Sequence, residues 1–355
     1  MKILHISPYA ELGGCEFNAL TIVEEIKAEH HVLLLNDGKG PFVEKWKNAK
    51  AIVEQCQLLD LPFYKWKREL QNQLAGRQYE IIIFWSHMHL PVVLSALEPF
   101  SNRILVHIGN PVLFGKKQRI LRMLQNTWYK YNSNKVELRP VSRYVLQSST
   151  TTPAYKSLKS KVSFKPIVVE DFIKNKDIDS DNNIIGMMAR MDAIKDFTTL
   201  IRAFAELVKT DDNCLLQLAG DGDARANLEL LVGQLEIQNK VQFLGRVNDK
   251  KTFYQGIDIF VYSTSAKEGL AGVVGEALVS GIPTICSDLP MLKEWDPENK
   301  VVQWFEAKNH HHLTEVMKHS LANYPEMEQL ALEYKCFFRN KFAPKTFAEN
   351  YLRVE

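Results

Sequence analysis

Residues 267–278 of the chain, KEGLAGVVGEAL, place two glutamates, Glu268 and Glu276, eight positions apart across a loop of small residues. The preceding apolar run, DIFVY at 258–262, predicts a buried strand, and residues 273–279 predict a helix. A strand, a tight glycine loop and a helix N-terminus together form an anion site, because backbone N–H groups and the helix dipole point at one place. The pattern therefore predicts a bound phosphate with one carboxylate on either side of it. In the simpler alternative, the two glutamates only share a solvated helix face.

A second pattern lies upstream, in GMMARMDAIKD at residues 186–196. Arg190 and Lys195 are five positions apart on a loop that follows a predicted strand and precedes a predicted helix. Two cations so placed can converge on a diphosphate through charge-assisted hydrogen bonds. They can also be two solvated surface cations. Downstream, Gly220 and Gly222 predict a tight turn at the carboxyl end of a strand, where open α/β sheets bind ligands.

Strands and helices alternate through both halves of the chain. Apolar runs predict strands at 2–7, 31–36, 80–85, 103–108, 183–189, 214–220, 241–245, 258–263 and 283–288. Helices are predicted at 16–27, 63–74, 116–129, 196–209, 224–235, 273–279 and 344–353. This alternation predicts two doubly wound α/β domains, residues 1–165 and 166–340, joined by a linker near 163–176.

The segment from 184 to 290 resembles the retaining glycosyltransferases of family 4, whose E-x7-E signature Glu268 and Glu276 reproduce. The resemblance implies the GT-B fold, with two Rossmann-like domains, a cleft between them, and a C-terminal helix at 341–355 that returns to the first domain. It also implies a nucleotide-sugar donor site in the second domain. Arg190 and Lys195 would bind the donor diphosphate there, Glu276 the ribose hydroxyls, and Glu268 the transferred sugar.

The resemblance also implies roles for residues whose own patterns are weaker. Arg246 and Val247 would lie against the nucleotide base, and the Gly13-Gly14 loop would close over donor and acceptor. Without the resemblance, a strand-end turn explains Arg246 and Val247 equally well. The glycine pair by itself lets backbone N–H groups approach a phosphate or sugar closely, and a plain tight turn is its alternative. His107, at the end of a predicted central strand, would contact the donor sugar, whereas the alternative is a histidine satisfied within the core.

The loop between the glutamates departs from the family pattern. Gly269, Leu270, Ala271 and Gly272 replace the usual stretch, with Leu270 in place of an aromatic residue and Ala271 in place of a glycine. The anion-binding backbone is kept, while the shape of the sugar pocket differs.

Asp221 and Asp223 superficially resemble the metal-binding DxD motif of a different glycosyltransferase fold, but the predicted turn explains them. The three histidines at 310–312 are interpreted as surface residues. His87 and His89, at the end of the preceding predicted strand, are alternatives to His107 as the histidine that contacts the donor sugar. The sequence thus predicts no metal and no other cofactor.

Charge is unevenly distributed along the 355 residues. Residues 1–165 contain 23 Lys and Arg against 13 Asp and Glu, whereas residues 166–355 contain 21 against 29. The first half is therefore expected to meet an anionic partner. Between 99 and 136 there is no acid, and a basic amphipathic helix with Trp128 at its end is predicted at 116–129. It is typical of membrane-surface binding, although an ordinary docked helix with a basic edge has the same pattern. No nucleic-acid motif accompanies this charge.

The remaining features predict a cytoplasmic protein held at the inner face of the cytoplasmic membrane. No apolar run reaches the ~18 residues that span a bilayer, and the N-terminus lacks the pattern of a signal peptide. The five cysteines form no CxxC pair, as expected of reduced thiols.

We expect a metal-independent, retaining enzyme that moves a hexose or N-acetylhexosamine from a UDP-sugar to a saccharide acceptor. The basic first half favours an acceptor on a polyprenyl diphosphate lipid, in assembly of an O-antigen-like surface polysaccharide. Two alternatives remain open. One is another GT-B-type enzyme, such as a nucleotide-sugar epimerase or a phosphorylase. The other is a non-catalytic module that binds a nucleotide-sugar.

Overall fold

The computed structural model describes residues 1–11, 13–86, 90–111, 134–150, 158–172, 183–265 and 269–353. The chain divides into two compact units. The first comprises Met1–Pro166 and the C-terminal segment from Phe342, and the second comprises Ile167–Lys341.

Among the described residues, each unit is built on one parallel sheet, with seven strands in the first unit and six in the second. The strands of the first unit are β1 Lys2–Ser7, β2 Glu29–Leu34, β3 Ile52–Gln55, β4 Ile81–Phe84, β5 Ile104–Ile108, β6 Val136–Pro140 and β7 Lys159–Ser160. Those of the second are β8 Asn183–Met188, β9 Cys214–Ala219, β10 Val241–Gly245, β11 Ile259–Tyr262, β12 Thr284–Ser287 and β13 Val302–Phe305.

The order of strands is the same in both sheets. It is β3-β2-β1-β4-β5-β6-β7 in the first unit and β10-β9-β8-β11-β12-β13 in the second. Counted from the first strand of each unit, both contain the 3-2-1-4-5-6 order of doubly wound folds. The predicted fold class is confirmed: the protein has two Rossmann-like α/β units.

Helices connect the strands. In the first unit they are Gly14–Glu25, Phe42–Asn48, Phe63–Gln73, Leu90–Leu97, Arg143–Thr150 and Pro344–Leu352. In the second they are Phe197–Leu207, Arg225–Gln234, Lys250–Gln255, Gly272–Ser280, Pro290–Lys293, His310–Ala322 and Tyr324–Lys341. Short 3-10 turns lie at Leu58–Asp60 and Glu98–Phe100. Among the described residues, none of these helices is both long and apolar enough to span a membrane.

The central strands are buried on both faces, which explains their continuous apolar sequences. All four residues of β4 and of β11 are buried, as are all five of β5. Helices that cover both faces of a parallel sheet exclude water from its strands, so each strand residue contributes to a core. The edge strand β3 has two exposed and two half-buried residues, and its sequence gave no strand signal.

The C-terminal helix Pro344–Leu352 packs against the first unit through Phe347, Ala348 and Tyr351, which are buried in the same core as β1 and β4. Two arginines bind the carbonyl groups at its end. Arg139 Nε donates to the Tyr351 carbonyl at 2.8 Å, and Arg103 Nη1 donates to that of Leu352 at 2.6 Å. These contacts satisfy carbonyl groups that a helix C-terminus leaves without intrahelical partners.

Glu137 holds both arginines in place. Its carboxylate lies 2.8 Å from Arg103 Nε and 2.7 Å from Arg139 Nη2. Burial raises the pKa of Glu137, but the two guanidinium groups outweigh it and hold the pKa below its usual range. Arg103 is one of the bases of the acid-free stretch 99–136, so part of that positive charge serves the fold. Lys135, near its other end, pairs with Glu98 at 3.6 Å.

Candidate functional site

The second unit brings its two phosphate-binding patterns to one edge of the sheet. β8 and β11 are neighbours in the sheet, and the order of strands reverses between them. Such a switch point, at the carboxyl ends of the strands, is where doubly wound folds bind ligands. The loop with Arg190 and Lys195 follows β8, and the loop that leads to Gly272–Ser280 follows β11.

Hydrogen bonds fasten the loop after β8 to the end of β11. Lys195 and Thr264 form an isolated antiparallel bridge. The Asp196 N–H donates to the Ser263 carbonyl at 3.1 Å, and the Ser265 N–H donates to that of Ile194 at 3.2 Å. The two loops therefore form one structure rather than two independent surface turns.

Lys195 and Arg190 differ in how they are held. Lys195 Nζ donates to the hydroxyl of Tyr262, a buried residue of β11, at 2.7 Å. The Arg190 side chain is 75% exposed and forms an ion pair with Asp192 Oδ2, two residues along the chain, at 2.7 Å. Lys195 is thus oriented by the sheet, whereas Arg190 can swing toward an anion at little cost.

Asp192 organises this loop. Its Oδ1 accepts the N–H groups of Ile194 at 3.0 Å and Lys195 at 3.2 Å, while Oδ2 binds Arg190. Burial raises the pKa of Asp192, but Arg190 and the two N–H groups lower it more, so the carboxylate stays ionised. Sequence reasoning missed Asp192, although an Asp at the start of a loop typically forms an Asx-turn, in which its side chain accepts the N–H two residues further along.

The turn that contains Asp221 and Asp223 also contacts the loop after β8. Gly220 has φ +136°, and a Cβ there would collide with the carbonyl oxygen of Ala189. The Met191 N–H donates to the Asp221 carbonyl at 3.0 Å, and Asp221 Oδ1 accepts the Gly222 N–H at 2.9 Å. The glycines are needed because the two loops touch backbone to backbone. This accounts for the DGD sequence as a turn.

Arg246 and Val247 follow β10 beside this turn. Gly245 has φ +68°, and its carbonyl accepts the Gly220 N–H at 2.7 Å. Arg246 is exposed and Val247 is half-buried. The geometry is that of a strand-end turn on the ligand-binding edge of the sheet, and the contact with a base stays a prediction.

The loop before Gly272–Ser280 is only partly described, because Glu268 lies outside the described residues, as do Ala266 and Lys267. Gly269, Leu270 and Ala271 are buried, and Gly272 begins the helix. In the described part of the chain, no side chain forms a capping hydrogen bond at Ala271, the N-cap. Since the first N–H groups of a helix have no intrahelical partner, this end is suited to an anion.

Gly275 fixes the position of this helix. A Cβ at Gly275 would collide with the ring of Trp295, which is fully buried. The helix therefore lies directly against the Trp295 ring, and only glycine allows this approach. The sequence signal was the glycine inside the helix predicted at 273–279, since such a glycine usually has a packing or functional reason.

Glu276 lies one turn into the helix and is 8% exposed. Lys250 Nζ lies 2.6 Å from its Oε1, and the Tyr254 hydroxyl lies 3.2 Å from its Oε2. That hydroxyl is also 3.0 Å from the Val273 carbonyl oxygen, so its one proton is shared between two acceptors. Burial, and then the nearby carboxylate of Glu276, raise the pKa of Tyr254 well above its usual value. Tyr254 therefore acts as a neutral hydrogen-bonding group.

In the first unit, Gly13 is the N-cap of Gly14–Glu25, the helix that follows β1, and Leu12 lies outside the described residues. Gly13 has an extended backbone with φ −139°, and a Cβ at Gly14 would meet nothing within 4 Å. A Cβ at Gly13 would collide with the carboxylate of Glu16, which is buried, so Gly13 has a local steric reason and Gly14 has none. Closure of this loop over donor and acceptor stays a prediction.

His107 is 2% exposed at the end of β5. Its ring lies 5.0 Å from that of Trp85, and its Nδ1 lies 3.3 Å from the Tyr351 hydroxyl. The structure thus gives His107 the packed surroundings that the alternative of a core histidine requires. Its contact with a donor sugar stays a prediction, and the rivals His87 and His89 lie outside the described residues.

Comparison with known proteins agrees with this geometry. Residues 168–333, most of the second unit, match the model of the family Glycosyl transferases group 1. An uncharacterised glycosyltransferase of Methanocaldococcus jannaschii is 28% identical over 74% of this chain and 65% of its own length. An α-1,4-N-acetyl-D-galactosaminyltransferase of Campylobacter jejuni, named for a diphospho-undecaprenol-linked GalNAc substrate, is 25% identical over 81% of this chain and 79% of its own.

The whole fold also has solved counterparts. The structure of Anabaena HepE in complex with UDP and glucose superimposes with a TM-score of 0.76 over 98% of this chain and 97% of that one. At 17% identity, this likeness speaks for the fold alone. Several of the curated relatives match this chain over less than two thirds of their own length, from 31% to 65%.

Proposed function

We propose that the protein is a retaining glycosyltransferase that moves a hexose or N-acetylhexosamine from a UDP-sugar to a saccharide acceptor. The observation that carries this proposal is the joining of two loops at the switch point of the second sheet. Lys195 and Arg190 on one loop, and an uncapped helix N-terminus on the other, suit a diphosphate. Glu276, buried one turn beyond, suits the hydroxyl groups of a ribose.

In this mechanism the cations act on the leaving group. As the bond between the sugar and the diphosphate breaks, negative charge grows on the departing UDP, and Arg190 and Lys195 stabilise it. The leaving diphosphate itself takes the proton of the acceptor hydroxyl on the same face of the sugar. No enzymic nucleophile and no divalent metal are needed for this route.

Uridine is proposed as the nucleoside of the donor, because the structure of the similarly folded Anabaena protein is in complex with UDP and glucose. The basic first half and the lipid diphosphate-linked substrate named for the Campylobacter relative support two further parts of the proposal. These are a lipid diphosphate-linked acceptor and the assembly of an O-antigen-like polysaccharide. The helix predicted at 116–129, which would meet the anionic membrane, lies outside the described residues. A cytoplasmic location at the inner membrane face completes the proposal.

Thermal unfolding with UDP-, GDP- and ADP-sugars tests the donor. A donor at about 100 times its Kd adds about 2.7 kcal/mol to the free energy of unfolding, so the preferred nucleotide is expected to give the largest rise in Tm. A larger rise with GDP- or ADP-sugars would overturn the assignment of uridine. Transfer measured in excess EDTA tests the metal: activity lost on chelation and restored by Mn²⁺ would contradict metal independence.

A non-catalytic binding module is the second candidate, favoured by nothing specific except the local pairing of Arg190. It would bind UDP yet release no UDP from a donor, with or without acceptor. An epimerase would instead convert the donor without any acceptor. Product analysis by mass spectrometry separates the three outcomes.

A further inference from the structure

Three side chains with metal-binding atoms meet on the second unit, far along the sequence from the loops described above. Glu206 lies in the last turn of helix Phe197–Leu207, and His310 and His311 are the first two residues of helix His310–Ala322. Glu206 Oε1 lies 3.3 Å from His310 Nε2 and 3.0 Å from His311 Nδ1. The three ligand atoms all lie within 4.8 Å of one another.

These separations match a metal coordination shell. Ligand atoms about 2.0–2.1 Å from a tetrahedral Zn²⁺ are about 3.3–3.4 Å apart. Glu206 Oε1 is already at this distance from His310 Nε2, and at 3.0 Å it lies slightly closer than this to His311 Nδ1. The His311 side chain is 75% exposed, so its ring can move toward a cation without displacing packed neighbours.

Surrounding hydrogen bonds hold the ligands in this arrangement. The hydroxyl of Thr314, a buried residue one turn along, lies 3.1 Å from Glu206 Oε2 and 2.8 Å from the His310 carbonyl oxygen. Asn309 caps the helix, with Oδ1 accepting the His312 N–H at 3.0 Å. Outer contacts of this kind orient ligands in metal sites. His312 uses Nδ1 to accept the Glu306 N–H at 3.1 Å.

We propose that Glu206, His310 and His311 bind one divalent transition-metal ion of the Zn²⁺ class. Two imidazoles and one carboxylate suit Zn²⁺, Cu²⁺, Ni²⁺ or Co²⁺, whereas Mg²⁺ and Ca²⁺ prefer oxygen ligands throughout. The ion joins the end of one helix to the start of another. Helix Phe197–Leu207 begins one residue after Asp196, beside Lys195, so the ion stabilises the element that carries the loop after β8. The role is structural and independent of glycosyl transfer.

Zn²⁺ titration of the full, chelator-treated chain by calorimetry tests the site. We expect one ion per chain and a rise in Tm of the order of 5 °C at about 100-fold excess over the Kd. His311→Ala and Glu206→Gln are each expected to weaken binding roughly tenfold or more. His319→Ala, which removes an exposed histidine from the same helix, is the matched control and is expected to bind as the wild type does.

Co²⁺ provides a second measurement that does not depend on stability. Its visible absorption bands are expected with the wild type and with His319→Ala, and are expected to be lost or weakened in the two ligand variants. Circular dichroism of each variant without metal shows whether it is folded. Zn²⁺ affinity unchanged in both ligand variants, or no binding by the wild type, would overturn the proposal and leave the cluster as an ionic contact between two helices.

Discussion

Lys250 Nζ lies 2.6 Å from Glu276 Oε1, and it joins the first residue of one helix to a buried carboxylate on another. The lysine is 45% exposed at its side chain, whereas the glutamate side chain is 11% exposed. Each carboxylate oxygen has two lone pairs, so Oε1 can accept Lys250 and a ribose hydroxyl together. Lys250 thus offsets the charge of Glu276 and fixes its orientation before a nucleotide arrives.

Lys250→Met is therefore expected to weaken UDP binding about three- to tenfold, which corresponds to about 1 kcal/mol for a partly exposed ion pair. Isothermal titration with UDP measures it. Lys251→Met is the matched control, because Lys251 pairs at 3.6 Å with Glu170, whose side chain is 81% exposed. Unchanged or tighter UDP binding by Lys250→Met would show that the lysine does not prepare Glu276 for the nucleotide.

The two cations of the loop after β8 give a second prediction. Arg190→Ala and Lys195→Ala are each expected to lower kcat/KM by about 30- to 900-fold, or about 2–4 kcal/mol of transition-state stabilisation. The exposed Arg190 side chain contributes little to packing, so its variant is expected to keep the wild-type Tm. Arg202→Ala, an exposed arginine on the following helix, is the control. Normal kcat/KM in both variants would remove these residues from the site.

Variants of the two glutamates of the signature are expected to have different defects, one in UDP binding and the other in turnover. Glu276 is assigned to the ribose hydroxyls, so Glu276→Gln is expected to reduce affinity for UDP alone. Glu268 is assigned to the sugar, so Glu268→Gln is expected to reduce turnover of the intact donor more than UDP affinity. UDP titration and steady-state kinetics on both variants decide the matter. Equal losses of UDP affinity would reject the division of roles.

Local patterns in the sequence predicted strands, helices and several residues of the site, but not the residues that contact them. Continuous apolar runs predicted the buried strands β4, β5 and β11 because both faces of such strands lie in a core. The edge strand β3 gave no such pattern because it is only half-buried. Lys250 is 26 residues from Glu276, and Tyr351 is 244 residues from His107. Contacts of this separation depend on the folded topology, which periodicity does not report.

Buried histidines of the first unit predict a pH dependence. Trp85 Nε1 donates to His5 Nδ1 at 3.2 Å, so the neutral His5 carries its proton on Nε2 and donates to His30 Nδ1 at 3.0 Å. His30 in turn donates from Nε2 to the Ile26 carbonyl at 2.9 Å. Burial, and then the neighbouring His30, lower the pKa of His5 well below 6.5. Both rings are thus held as neutral tautomers by one chain of hydrogen bonds.

Below pH 6.5 the unfolded chain binds a proton at His5 that the folded chain does not. The stability of the first unit is therefore intact above this pH and falls as the pH drops, by at most about 1.4 kcal/mol per pH unit for one histidine. Urea unfolding between pH 7 and about 5, above the range where carboxylates titrate, measures this slope. His5→Gln is expected to flatten it, whereas the exposed His319→Gln is expected to keep it. An identical slope in His5→Gln would contradict the assignment.

The membrane contact of the first half gives the last prediction. Each basic residue near an anionic surface contributes about 1 kcal/mol, screened over about a Debye length. Neutralising Lys116, Lys117, Arg119 and Arg122 together is therefore expected to release the protein from anionic liposomes in a sedimentation assay. Neutralising Arg103 and Lys135 instead would be a poorer test of membrane contact, because these two side chains already form ion pairs with Glu137 and Glu98.

Neutralising Lys65, Lys67 and Arg68, on helix Phe63–Gln73, is the matched comparison, since it removes basic charge from another helix of the same unit. The variant without the charges of Lys65, Lys67 and Arg68 is expected to bind liposomes more strongly than the variant without those of Lys116, Lys117, Arg119 and Arg122. This follows if the latter four residues contact the membrane. Transfer to a short, water-soluble acceptor is expected to survive in both variants, because the proposed donor site lies in the second unit. A wild-type protein that fails to bind anionic liposomes at low salt would contradict membrane binding by the helix predicted at 116–129. The positive charge of the first half of the chain would then no longer support the proposal of a lipid-linked acceptor.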